Sequence, residues 1–384
     1  MSKWEKVRLG DVCEIVSGST PSTQKPELWD GIIKWVTPAE LSEDSYFIND
    51  TERYISEKAG LKAMPAGTVL LSSRAPIGKV AIAGEPMCCN QGFKNLICSK
   101  NIHNRYLYRY LKNQTMYLNS LGRGATFKEI SKSIVEDILI PLPPISVQHK
   151  IADIFDQISL LTNKRKAQIA KLDLLVKAQF VGMFGDPVTN PMRWECGTIR
   201  DIVDEVKYGT SKPANEGGKY PYLRMNNITY DGQLNLTDLK YIDIQDNEFE
   251  KYIVRKNDVL FNRTNSKELV GKTCVFNVDE LMVIAGYIIR IRLNEKALPI
   301  YLSSVLNSDY GKLTLRGMCK TIIGQSNINA QELQNIQILI PPLSLQTRFA
   351  DFVKQVDKSK FVLQRGEKIW ESLQFYIDNQ RNML

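Results

Sequence analysis

The sequence predicts an α+β protein built as a tandem repeat. Two similar globular domains are each followed by a long helix, and the two helices pair antiparallel as a coiled-coil-like spacer, giving pseudo-two-fold symmetry. Three observations predict it. The stretch "IPLPPISVQHKIADIFDQI" at 140–158 is rewritten near the end as "LIPPLSLQTRFADFVKQVD" at 339–357. Each copy opens an apolar three–four period carried well beyond an ordinary helix. The segments ahead of the two copies also correspond, and a chain of 384 residues is too long for one ordinary core.

The first domain occupies 1–145. Its Trp4-Glu5, Leu9 and Asp11 return as Trp194-Glu195, Ile199 and Asp201. "GTVLLSSRAPIGKVAI" at 67–82 is echoed by "NDVLFNRTNSKELVGKTCVF" at 257–276, which aligns Arg74 with Arg263 and Gly78-Lys79 with Gly271-Lys272. Each domain ends in an apolar run stopped by a proline pair, because proline lacks an N–H and biases its predecessor towards extended backbone. Ser146 and Ser344 then stand where an N-cap is expected.

The central helix, 146–185, carries its stripe on Ile151, Ile154, Ile158, Leu161, Ile169, Leu172, Val176 and Met183. The connector "MFGDPVTNPMRW" lies at 183–194, and the region 186–343 holds its part beyond the helix end together with the second domain. The C-terminal helix, 344–384, runs through Phe349, Phe352, Val356, Leu363, Trp370, Leu373 and Ile377, with Gly366 a weak point worth about 1 kcal/mol. Helices about 55–60 Å long with one apolar seam need partners of similar length, and each is the simplest partner for the other.

A formal charge of +8 permits a polyanionic partner without demanding one. The charged start "MSKWEKVRLGD" and the lack of a long apolar run argue for a cytoplasmic protein. Seven scattered cysteines without a C-x-x-C pair read as buried free thiols. The two histidines, His103 and His149, lie far apart in sequence, so neither a zinc site nor a Ser/His/Asp set is expected. "ELVGKT" at 268–273 has Ser266 where a phosphate loop needs its first glycine, and "NPMRW" at 190–194 has Met192 where adenine methyltransferases carry proline. No catalysis is visible.

"LGDVCEIVSGSTPSTQKPELWDGIIKWVTPAELS" at 9–42, through Gly18, Thr20, Pro21, Trp29, Gly31, Ile33, Trp35, Thr37 and Pro38, resembles the opening of a target recognition domain of type I restriction–modification specificity subunits. Gly124, Thr126, Ile140, Pro141, Pro143, Pro144, Gln148, Ile151 and Ala152, then "MFGDP", resemble the family's domain end and helix start. The second half matches more loosely, with Gly209-Thr210-Ser211 lacking the proline and Phe349 in place of isoleucine.

The resemblance implies a non-catalytic subunit, each recognition domain reading one half of a bipartite asymmetric DNA target while the helices set the spacer. It implies no cofactor in this chain. Two methyltransferase subunits would bring S-adenosylmethionine, and motor–nuclease restriction subunits ATP and Mg. The isolated chain is a candidate homodimer through its helices.

DNA reading needs phosphate neutralisers and base readers, and loop arginine and asparagine can grip guanine and adenine edges. Candidates in the first half are Thr20, Ser22, Arg74, Lys79, Lys94, Arg123 and Lys128. Those in the second are Lys212, Arg224, Asn226, Asn262, Arg263, Asn265, Lys272, Lys320, Gln325 and Asn327. Trp29, Trp35, Tyr220 and Tyr222 are expected in the core rather than as base-stacking platforms. The rival reading is an interaction scaffold, with paired helices recruiting partners and the domains binding protein or carbohydrate. A positive concave face on both domains distinguishes the two.

Overall fold

The computed structural model describes residues 4–42, 46–124, 128–322 and 325–382, with the side chains of 320–325 and 366–382 outside the description. The chain divides into two compact units, Met1–Arg165 with Arg365–Leu384, and Lys166–Gln364. Both contain sheets and short helices on the same plan, and two 40-residue helices, Ile145–Phe184 and Leu343–Asn382, are shared between them.

In the first unit a five-stranded sheet runs in the order Cys13–Ser17, Phe93–Cys98, Val69–Ser72, Val80–Ala83, Phe47–Ile48. Val69–Ser72 and Val80–Ala83 are buried on both faces, which is why they are written as unbroken "VLLS" and "VAIA" rather than alternating. One face packs on the short helices Asn104–Lys112 and Thr115–Leu121 through Leu107, Leu111 and Leu118. A second sheet, Arg53–Ile55, Trp29–Val36, Cys88–Cys89, has a parallel pairing of Trp35 with Cys88.

The second unit repeats this. Its main sheet runs Val203–Tyr208, Ile288–Leu293, Val259–Asn262, Thr273–Val275. The other runs Lys240–Ile242, Tyr220–Leu223, Met282–Ile284, Ile253–Val254, with the equivalent parallel pairing of Tyr222 with Val283. The first strand of each domain also pairs antiparallel with its last, Lys6–Arg8 with Leu139–Pro141 and Glu195–Thr198 with Gln337–Ile340.

The predicted antiparallel helix pairing is seen within the second unit. Phe180 and Phe184 pack on Phe349, each with ring centroids 5.5 Å away, while Lys360 pairs with Asp173. Numbers therefore rise along one helix as they fall along the other. The C-terminal helix continues unbroken through Gly366. Trp370, Leu373 and Ile377 have side chains outside the described residues.

Two details differ from the sequence reading. The helices begin at Ile145 and Leu343, so Ser146 and Ser344 lie inside the first turn rather than capping it. The proline carbonyls start the helices, Pro144 accepting from Val147 and Gln148 and Pro342 from Leu345 and Gln346. Ile158 is buried as expected, but Ile154 and Leu161 are exposed, and Ala152 and Phe155 are buried instead. The first turns of the helix are oriented by Arg105 and Arg109, which grip Asp156 at 2.7 and 2.8 Å, and that turns Ile154 and Leu161 outward.

The repeated glutamine has a structural reason. Gln148 and Gln346 are both 0 % exposed. Gln148 accepts from the His103 N–H at 2.8 Å and donates to the carbonyls of Asn101 and Pro143. Gln346 accepts from the Leu298 N–H at 2.8 Å and donates to those of Lys296 and Pro341. Each locks a long helix to the loop that starts a short helix, Asn104–Lys112 in the first domain and Pro299–Asn307 in the second.

Candidate nucleic-acid interface

In the first domain the buried Trp29 and Trp35 donate through Nε1 to the carbonyls of Ser22 (3.1 Å) and Ser19 (3.0 Å), pinning the loop that carries Thr20 and Ser22. Gly18 turns that loop against the backbone: a Cβ there would stand 1.8 Å from the Asn90 carbonyl oxygen. Thr20 hydroxyl donates to Gln91, and the adjacent Gly92 carbonyl accepts from the Ser73 N–H at 2.7 Å. Arg74 follows, its Nε 2.9 Å from Glu129, whose backbone is bridged to Arg123. A contiguous surface thus joins Thr20, Gln91, Arg74, Glu129 and Arg123.

Glu129 is the organiser of this group. Its other oxygen lies 3.1 Å from the Lys94 ammonium. Burial raises its carboxyl, but the contacts with Lys94 and Arg74 outweigh that and hold it below the usual carboxylate range. Because Glu129 engages Arg74 through Nε, the two terminal nitrogens of the guanidinium fork stay available for a planar acceptor pair.

The second domain has the same frame with different side chains. Tyr222 hydroxyl donates to the carbonyls of Thr210 and Lys212, doing for that loop what the tryptophans do for the first. Gly209 again sits where a Cβ would strike backbone, 2.2 Å from the Ile284 carbonyl oxygen. Arg263 donates to Asn327 at 2.9 Å and lies over the Tyr208 ring at 4.8 Å. Asn265 and Asn327 face neighbouring strands of a small sheet, Thr264–Asn265, Gln325–Asn327 and Lys320–Ile322.

The other candidates fall into two groups. Ser22, Lys128 and Asn226 are exposed; Lys212 and Arg224 pair with Glu248 and Asp238. Lys94 and Asn262 are buried, and Lys79 and Lys272 turn inward: Lys79 Nζ donates to the Leu41 carbonyl at 2.6 Å and Lys272 Nζ to that of Met225 at 2.7 Å. Both lysines tie down the segment after an inner strand of their domain's second sheet, Trp29–Val36 or Tyr220–Leu223, and burial pulls the Lys272 ammonium below its ordinary range. The side chains of Lys320 and Gln325 lie outside the described residues, as do Ala125 to Phe127.

Sequence reasoning missed Gln91, Glu129 and Tyr208. Acidic and aromatic residues are not sought as DNA contacts, yet here they aim the arginines. Trp29, Trp35 and Tyr222 are buried as expected, and Tyr220 is half-buried. The two histidines meet, their rings 3.9 Å apart. Among the described residues no group of three or more His, Cys, Asp or Glu could hold a metal ion, and no helix is long and apolar enough to cross a membrane.

Residues 1–171 and 191–370 each match the family model of the type I restriction modification DNA specificity domain. The chain belongs to that family. Among relatives of this specificity chain, the type I restriction enzyme MjaIX specificity subunit of Methanocaldococcus jannaschii is 30% identical over 91% of this chain and 86% of its own length. The EcoKI specificity subunit of Escherichia coli K12 is 25% identical over 84% of this chain and 70% of its own.

Solved structures share the fold. A chain from a study of type I R-M complex assembly and conformational transition superposes with a TM-score of 0.63 at 20% identity, covering 98% of this chain and 97% of its own. The type-I restriction-modification S subunit from M. genitalium gives 0.59 at 14% identity, covering 99% and 95%. The specificity chain is therefore a DNA sequence-specificity component of a type I restriction–modification system.

Proposed function

We propose that each domain of this chain reads one half of a bipartite DNA target, and that the chain itself carries no catalytic step. The observation that carries this is the paired arginine: Arg74 oriented by Glu129 and Arg263 oriented by Asn327, on equivalent scaffolds. An arginine whose fork is pre-aimed loses less side-chain entropy on gripping guanine O6 and N7. The change of buttress from carboxylate to amide, and the Tyr208 ring beneath Arg263 alone, support different reading by the two halves.

In this reading the long helices set the spacing between half-sites and dock two methyltransferase subunits, which supply S-adenosylmethionine. Restriction subunits bring ATP and Mg. Exposed Ile154, Leu160, Leu161, Leu174, Leu175 and Val181 on the central helix support a docking role, since an apolar row left in water favours a partner.

The test is genome-wide mapping of methylated adenines with and without the gene. A bipartite motif that vanishes on deletion and returns on complementation is expected. A methylation pattern indifferent to the gene overturns the reading.

A further inference from the structure

Cys13 opens the strand Cys13–Ser17 and Cys98 closes Phe93–Cys98, and the two are direct partners in the antiparallel ladder. The ladder alternates between wide hydrogen-bonded and narrow non-bonded pairs. Ser99 N–H donates to Val12 at 3.0 Å and Gly18 N–H to Phe93 at 3.1 Å, so the 12–99 and 18–93 pairs are the bonded kind. Counting inward from either end makes Cys13–Cys98 a narrow pair, with both side chains on one face. Such pairs hold their Cα atoms about 4.5 Å apart, inside the range a disulfide spans.

The Cys98 sulfur within hydrogen-bond reach, and burial after it, push the Cys13 thiol far up, so Cys13 keeps its proton. Cys13 is buried, whereas Cys98 is half-exposed and lines an open cavity of about 390 Å³ with Ser99, Lys100, His103 and His149. A small oxidant can reach one sulfur and not the other.

The second domain shows that the fold does not need sulfur here. Its equivalent strands carry the cross-strand pair Val203 and Leu293.

We propose that Cys13 and Cys98 form an oxidisable dithiol site that takes a peroxide and closes to a cross-strand disulfide. The Cys98 thiolate attacks a peroxide oxygen, the O–O bond breaks, and Cys98 becomes a sulfenic acid while the other oxygen leaves as alcohol or water. The Cys13 sulfur then displaces the sulfenic oxygen, which departs as water with the Cys13 proton. Two thiols lose two electrons and the peroxide gains them. The new bond staples one end of a ladder whose other end leads into the Gly18–Ser22 loop.

The experiment treats the full chain with hydrogen peroxide, alkylates remaining thiols under denaturing conditions, and maps the peptides by mass spectrometry. The expected major product joins the Cys13 and Cys98 peptides, reverts with dithiothreitol, and forms before Cys88, Cys89 or Cys274 reacts. In Cys13→Ser, Cys98 should pass on to sulfinic acid. The double variant Cys13→Val, Cys98→Leu, which borrows the apolar pairing of the second domain, should fold and give no cross-link. The proposal is overturned if both thiols stay alkylatable while exposed Cys196 oxidises, or if Cys98 pairs with another cysteine instead.

Discussion

Arg74 and Arg263 occupy equivalent turns but are held differently, and that difference yields the sharpest expectations. Arg74→Ala should cost ~1–3 kcal/mol of discrimination at one base pair of one half-site, about 5- to 150-fold, and leave the other half-site's preferences unchanged. Competition binding with single-base target variants measures this; a uniform loss across all positions would show Arg74 to be a phosphate contact instead. Glu129→Ala should weaken the same discrimination while raising non-specific binding, because an acidic group leaves the surface proposed to meet DNA.

The buried glutamines make a second residue-level case. Gln148→Ala strands the His103 N–H and two carbonyls, each such loss costing ~1–3 kcal/mol, and should lower the urea midpoint well beyond a surface change. The histidine pair gives a pH signature. Burial, then the His149 ring and Arg105, hold His103 below the ordinary imidazole range, against weaker pulls from Asp153 and Asp156. The unfolded chain therefore takes the proton first, so this part of the stability is complete above about pH 6.5 and declines as pH falls below it. Asp156 and Glu129 are held below the carboxylate range and act only at lower pH. Urea midpoints at pH 7.5 and 5.5 should differ in the wild type and differ less in His103→Gln, which removes the titrating ring but keeps the backbone N–H held by Gln148.

At the scale of elements, the long helices depend on a few aromatic contacts rather than on charge. Phe349 is fully buried against Phe180 and Phe184, and Phe349→Ala should destabilise the second unit by ~3–5 kcal/mol. The Lys360–Asp173 pair is partly solvated, so Asp173→Asn should change stability by less than about 1 kcal/mol. Denaturant unfolding ranks the two; a larger effect from Asp173→Asn would mean that the pairing is electrostatic. Periodicity found these helices but set their inward face one position away near the start. The Arg105 and Arg109 contacts that fix rotation come from a helix some fifty residues earlier in the chain, so no local pattern encodes them.

For the whole molecule, modular reading makes hybrids predictable. Exchanging residues 1–145 or 190–335 with those of a relative should replace one half-target and keep the other, as read by methylation mapping. A hybrid that lost both specificities would mean that the halves act as one surface. Affinity should fall steeply with salt, with log K linear in log salt at a slope near the number of phosphates neutralised.

The tandem plan and the helix pairing were legible because they are written as repeats of residue type: proline pairs, glutamines and apolar periods need no third dimension to be counted. Which basic residues face outward was not. Lys79 and Lys272 look like groove readers in sequence and are internal ties, while Glu129 looks incidental and holds Arg74. That sorting depends on which carbonyl or carboxylate lies within about 3 Å of each charge, and such neighbours are brought together by strands distant in sequence. Order along the chain determined the architecture; the pairing of strands decided which charges were left exposed.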